Sequence, residues 1–142
     1  MRLFWFAALG VALSCGGSKE PAKSDQDPCA DIELDAEHVW SADIRAEFMG
    51  KGAAIGGETR DSVATKLDNL SRDWVMLRRS VCLDHFKRRV ISEPQYATRA
   101  ACLDKSLQRQ RSLIASLDSG ASVDSKAELQ SISDEIDRCG GK

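Results

Sequence analysis

Two apolar seams separated by a short capping signature constrain this chain more than any other feature. From Ser62 the apolar side chains fall at Val63, Leu67, Leu70, Trp74, Leu77 and Val81, in alternating steps of four and three. After Pro94 the same alternation runs through Tyr96, Ala100, Leu103, Leu107, Gln110, Ile114 and Leu117. Such steps keep one stripe on one side of a helix, so each segment predicts a long amphipathic helix. Between them, Ser92-Glu93-Pro94-Gln95 has the form of a capping box, with Ser92 as N-cap and Gln95 at N3. Proline suits the first helical turn because its missing N–H had no helical partner there. One helix is therefore expected to end near Ile91 and the next to begin at Glu93.

Folding the two helices back about Ser92 sets Val81 opposite Leu103, Leu77 opposite Leu107, Trp74 opposite Gln110, Leu70 opposite Ile114 and Leu67 opposite Leu117. The same levelling sets Cys82 opposite Cys102, the two places where the triplet Cys-Leu-Asp occurs. Upstream, Trp40, Ile44 and Phe48 recur every four residues beside Val39 and predict a short helix that stops at Gly50. Downstream, Ser119-Gly120 ends the second long helix, and Leu129, Ile132, Ile136 and Cys139 share one face of a third. Strand-like alternation is missing and β-branched or aromatic clusters are scarce. The expected fold is all-α, an antiparallel bundle of three to four helices around a long central hairpin, over residues 29–142.

A turn near Gly120 brings Cys139 toward the level of Cys102, and a turn near Ala54 brings Cys29 within about a helical turn of it. Four cysteines at one level allow three disulfide pairings or a metal site. The hairpin levelling favours Cys82–Cys102 with Cys29–Cys139, the inner bridge closing a loop of roughly 20 residues and stabilising the fold by about 3 kcal/mol. A zinc site of four cysteines, or one recruiting His85, lacks the two close ligand pairs typical of zinc. No C-x-x-C occurs. Cys29, Cys82, Cys102 and Cys139 are read as structural disulfides, with no metal and no cofactor.

The chain opens with Met1-Arg2 and an apolar run from Leu3 to Leu13, the form of a secretory signal peptide over residues 1–14. That run is too short to span a bilayer comfortably. Ala12-Leu13-Ser14-Cys15 resembles the lipobox of bacterial lipoproteins, with Ala12 standing where that family usually has leucine. The resemblance implies cleavage before Cys15, lipid on its thiol and new amino group, and attachment to a membrane. Residues 15–28 lack large apolar side chains and read as the lipidated cysteine and a flexible tether. Gly16, not aspartate, follows Cys15, which by the sorting rules of that family points to the outer membrane rather than the inner. The folded part then lies in the periplasm or at the cell surface, in an oxidising space where disulfides persist.

About 115 residues remain beyond the tether, enough for one domain with a modest core. The net charge of −2, or −3 once Arg2 leaves with the signal, gives no general drive toward nucleic acid. Arg78, Arg79, Lys87, Arg88 and Arg89 cluster locally. They read as the solvated face of a helix, the alternative being contact with anionic lipid headgroups. The histidines, His38 and His85, have no nucleophile and orienting group at a catalytic spacing. Asp134, Glu135 and Asp137 read as a solvated helix face. Met49 to Thr59 contains Gly-Lys-Gly-Ala-Ala-Ile-Gly-Gly, which matches neither the P-loop nor the dinucleotide spacing and reads as a flexible link.

One wider resemblance covers Pro28 to Cys139. The pieces are Pro-Cys-Ala at Pro28, His-Val-Trp at His38, Ile-Arg-Ala-Glu-Phe at Ile44, the segment Asp68 to Cys82, the segment Arg99 to Ile114, and Cys139. Together they resemble the extracytoplasmic helical segment that precedes the tetratricopeptide repeats of large bacterial serine/threonine protein kinases. The resemblance implies a helical adaptor or sensor module outside the cytoplasm, without kinase activity, since no kinase motif is present. The repeat array is missing here, and the linker after Phe48 is glycine-rich instead of aromatic-rich. The expected function is a non-catalytic, lipid-anchored interaction or sensor-adaptor module whose partner is another envelope protein. The alternatives are a zinc-binding envelope lipoprotein and a small inhibitor of a periplasmic enzyme.

Overall fold

A computed structural model of the chain describes residues 27–52, 54–55 and 57–141. The signal segment, Cys15 and the tether up to Gln26 lie outside the described residues. Within them the elements are α1 (Ile32–Glu37), α2 (Ala42–Gly50), β1 (Ala54–Ile55), β2 (Glu58–Thr59), α3 (Arg60–Phe86), α4 (Glu93–Asp118) and α5 (Ser125–Gly140). The fold is the expected all-α antiparallel bundle. The long helices α3, α4 and α5 pack on one another, and α1 and α2 lie along α3. Among the described residues, no helix is long and apolar enough to cross a membrane.

Local chemistry fixes the helix ends. Thr59 Oγ1 accepts from Ser62 N at the start of α3, and Asp124 Oδ1 accepts from Ala127 N at the start of α5. The capping box at α4 forms as expected: Gln95 N donates to Ser92 Oγ while Ser92 N donates to Gln95 Oε1. At the far end of α4, Gly120 takes φ 74°, Gly120 N donates to Leu117 O and Ala121 N donates to Ser116 O. These two bonds satisfy carbonyls that the last turn leaves open.

Both seams are buried. Val63, Leu67, Leu70, Trp74, Leu77 and Val81 of α3 meet Leu103, Leu107, Ile114 and Leu117 of α4 and Leu129, Ile132 and Ile136 of α5 in one core. Trp74 and Gln110 are fully enclosed within the bundle.

Two expectations about the chain path are corrected. The short upstream helix is two helices, because Ser41 caps α2 by accepting from Ile44 N and the chain bends over His38–Trp40. Trp40 and Phe48 still meet, edge to face with ring centroids 5.5 Å apart. The glycine-rich link is not a plain connector: β1 and β2 pair antiparallel there, Ala54 with Thr59 and Ile55 with Glu58, with Gly57 at φ 81° in the turn. Arg60 pins this region by donating from Nη1 to Phe48 O at 3.1 Å, its guanidinium 4.7 Å from the centre of the Phe48 ring.

The hairpin register is also corrected. α3 ends at Phe86, short of Ile91, so the middle of the turn moves from Ser92 to the Arg89–Val90 peptide. The observed pairs are all displaced in that direction, two of them by less than the full shift. Arg78 Nε bonds Asp104 Oδ1, His85 lies against Glu93, and Phe86 lies 5.3 Å from Tyr96, ring to ring. Trp74 reaches the carbonyl of Leu103 with its indole N–H.

The same shift overturns the expected disulfide pairing. Cys29 bonds Cys82, with Cα atoms 5.9 Å apart, and Cys102 bonds Cys139, with Cα atoms 5.5 Å apart. Leu77, not Cys82, is the α3 residue at the level of the second bridge. A Cβ added to Gly140, beside Cys139, would stand 2.7 Å from Leu77 Cδ2. Cys82 lies more than a helical turn further along α3, where the chain before α1 passes. The expected levelling of Cys102 with Cys139 about Gly120 holds. The facing of Cys82 and Cys102 does not.

Candidate functional site

A groove of about 470 Å³ runs between α1–α2 and α3. Ala36, Trp40, Val75 and Met76 supply its apolar wall, and Met76 is 55% exposed. Charged groups of both signs stand at its rim, Glu33 and Glu37 on α1 and Arg45 and Arg72 on α2 and α3. One carboxylate organises the floor. Asp68 Oδ1 accepts from Trp40 Nε1 at 2.7 Å, and Asp68 Oδ2 accepts from Arg45 Nε at 3.1 Å. The guanidinium also lies 3.8 Å from Asp61. The groove thus has an aromatic edge held by Asp68, an exposed thioether and charges of both signs, which suits a polypeptide segment presenting one apolar side chain.

A second groove of about 390 Å³ lies between α3 and α5. Leu70 and Leu129 form its base, with Lys66, Asp73, Lys126 and Gln130 around it. At one end, Lys66 forms a hydrogen-bonded ion pair with Glu58, and Glu58 Oε2 also accepts from Ser125 Oγ at 3.1 Å. The Lys66 bond holds the Glu58 carboxyl below its usual range against the opposing effect of burial, with Ser125 adding to the lowering.

The two histidines lie in separate surroundings. His85 Nε2 lies 2.8 Å from Glu93 Oε2, Nδ1 lies 3.3 Å from Ile91 O, and its ring stacks on Tyr96 at 4.8 Å. Ser92, its neighbour in the hairpin turn, is committed to Gln95. His38 borders a separate cleft with Asp35, Asp104 and Arg111. The fold does not bring the two histidines to one site. Among the described residues, no three of His, Cys, Asp and Glu are grouped to hold a metal ion.

The charged clusters divide in a way the sequence did not reveal. Arg78, expected on a solvated face, has a side chain only 15% exposed and lies 5.6 Å from the centre of the Tyr96 ring. Burial works against its charge, and hydrogen bonds with Tyr96 and Asp104 more than offset that, holding the guanidinium above its usual pKa. Lys87, Arg88 and Arg89 are not on a helix at all, because α3 has ended. Of the carboxylates Asp134, Glu135 and Asp137, Glu135 is 15% exposed and accepts from Arg109 Nη1 at 2.7 Å. The other terminal nitrogen of Arg109 reaches Glu128 at 2.7 Å, tying α4 to α5. Hydrogen bonds from Glu128 and then Glu135 raise the Arg109 pKa, with desolvation opposing.

The four cysteines are the sequence-selected residues that the fold does bring together, as two bridges. The groove beside Trp40 was missed because it depends on the bend at His38–Trp40. Its one visible signal was Ser41 directly after Trp40, a helix-starting residue inside what looked like one helix. Comparison with known proteins finds no family model, curated protein or solved structure that matches this chain.

Proposed function

We propose that this chain is a lipid-anchored protein of the bacterial cell envelope whose helical bundle binds another protein and performs no chemistry of its own. The observation that carries the binding role is the groove between α1–α2 and α3, where exposed Met76 offers apolar contact over a wall backed by the largely buried Trp40, inside a rim of mixed charge. Aromatic and thioether side chains of this kind adapt to a protein partner and supply much of the energy of such contacts. The occupant is a helix or extended segment carrying one apolar anchor flanked by charges of both signs, opposite Glu33, Glu37, Arg45 and Arg72.

Two disulfides support the oxidising location, since such bonds persist in secreted and periplasmic proteins and are rare in reducing compartments. The resemblance of Ala12 to Cys15 to a lipobox supports the anchor on Cys15 and, with Gly16 next, the outer membrane. The non-catalytic reading is supported by the use made of the reactive groups, with His85 held by Glu93 and Ile91 and Arg109 held by Glu128 and Glu135. The kinase-segment resemblance agrees with an adaptor or sensor part. A zinc lipoprotein would need thiolates that are here bound to one another, and nothing specific favours an enzyme inhibitor.

The test is photo-crosslinking in intact cells. A photoreactive residue in place of Met76 is expected to trap one discrete envelope protein, and the same residue at Arg111, beside the cleft between α1 and α4, is expected not to trap it. Equal labelling from both positions, or none from Met76, sinks the groove as the binding surface.

A further inference from the structure

The first described residues and the α3–α4 turn lie at the same pole of the bundle. Glu33 pairs with Arg79, Trp40 with Asp68, and Arg45 reaches Asp61, so the N-terminal helices step down α3 away from the turn. Cys29, bonded to Cys82, therefore marks the turn end. From Cys82, α3 continues only to Phe86, a rise of about 6 Å. The first described residues thus lie beside the tip of the hairpin.

That tip combines apolar and basic groups. Phe86 is 41% exposed and Val90 68% exposed, and Lys87, Arg88 and Arg89 lie between them. Of the carboxylates on the turn itself, Asp84 pairs with Arg88 at 2.6 Å and Glu93 lies 2.8 Å from His85. Counted from Asp84 to Glu93, three basic groups against two carboxylates leave the turn with one surplus positive charge. Arg89 also takes φ 56°, the one non-glycine positive φ among the described residues. Side chains with a Cβ disfavour that conformation, and glycine would relieve it.

We propose that this turn is a second membrane contact, in which Phe86 and Val90 enter the interface of an anionic phospholipid bilayer while Lys87 and Arg89 meet its phosphates. The inference deepens the anchor reading and rests on lipid at Cys15. A flexible chain the length of Gly16 to Gln26 averages about 20 Å end to end, so an anchored Cys15 keeps this pole close to the bilayer. Basic and apolar side chains on one surface are what the headgroup region selects. The contact sets the orientation of the bundle: hairpin tip toward the lipid, and the Trp40 groove facing sideways.

The experiment uses the full protein, expressed in bacteria, purified from membranes and placed in phosphatidylcholine vesicles with or without phosphatidylglycerol. Val90→Trp supplies a reporter, since Trp5 leaves with the signal and Trp40 and Trp74 are buried. Brominated acyl chains are expected to quench the Val90→Trp emission in anionic vesicles and much less in neutral ones. Arg89→Gly is expected to keep or raise thermal stability while weakening the tip contact, one basic residue being worth about fivefold in partitioning to such a surface. Emission that is unquenched, or equally quenched with and without phosphatidylglycerol, overturns the proposal. The mass of the Cys15 peptide tests the anchor separately. If Cys15 carries no lipid, the anchor reading fails. The same reporter on protein added to preformed vesicles then decides the tip contact on its own.

Discussion

Trp74 donates its indole N–H to the carbonyl oxygen of Leu103 at 2.6 Å, joining the largest buried side chain of α3 to the backbone of α4. Ser106 Oγ donates to the same oxygen at 2.7 Å, so the carbonyl stays satisfied if the indole is lost. Trp74→Phe is therefore expected to cost about 1–2 kcal/mol, from the lost donor and a small void, and Trp74→Ala about 3–5 kcal/mol. Urea unfolding followed by far-UV circular dichroism measures both. An unchanged midpoint for Trp74→Phe would show that the bond contributes nothing net.

Gln110 predicts the opposite sign. It is fully buried, and neither its amide nitrogen nor its oxygen has a hydrogen-bond partner among the described residues. Burying such a group without partners costs about 1–3 kcal/mol. Gln110→Met keeps length and volume and removes the polar atoms, so the unfolding free energy should rise by most of that amount and the denaturation midpoint with it. A fall would mean that the amide is satisfied in solution.

Mass spectrometry of unreduced proteolytic peptides should find Cys29 linked to Cys82 and Cys102 linked to Cys139. The bridges close sequence separations of 53 and 37 residues, for which loop-closure entropy gives about 4 kcal/mol each. Cys102→Ala with Cys139→Ala should lower stability by up to that amount. A Cys82–Cys102 peptide would restore the sequence expectation at the cost of the observed register.

Glu58 predicts a pH dependence. Its carboxyl is held below the usual range, first by the Lys66 hydrogen bond. A depressed folded-state pKa contributes stability that is fully present above the unfolded value of about 4.3 and is lost as pH falls through the lower folded value. Wild type should therefore exceed Glu58→Gln in melting temperature at neutral pH, and the gap should narrow on acidification below pH ~4. A gap independent of pH would remove the ion pair as its cause.

The apolar periodicity made α3, α4 and α5 legible, and Ser92 and Gln95 announced the α4 cap at the correct residues. What misled was the end of α3. Val90 and Ile91 prolong the apolar pattern, yet the chain leaves the helix at Lys87 and turns through a left-handed arginine that no propensity marks. Disulfide choice inherited that error, because a few residues of register decide which of three cysteines Cys82 meets. The groove was hidden for a related reason. Its wall uses Trp40 and Met76 from separate elements, and their juxtaposition arises only when α1 and α2 lie along α3.

The bridges join first cysteine to second and third to fourth along the folded segment. Their rings lie side by side in the chain, neither enclosing the other. For a polypeptide delivered across a membrane N-terminus first, Cys82 reaches Cys29 before any competing thiol of the fold has emerged. Cys139 then finds only Cys102 unpaired. Oxidation in order of arrival gives the native bonds, so this small bundle is suited to maturing with a simple thiol oxidase and no disulfide-reshuffling helper.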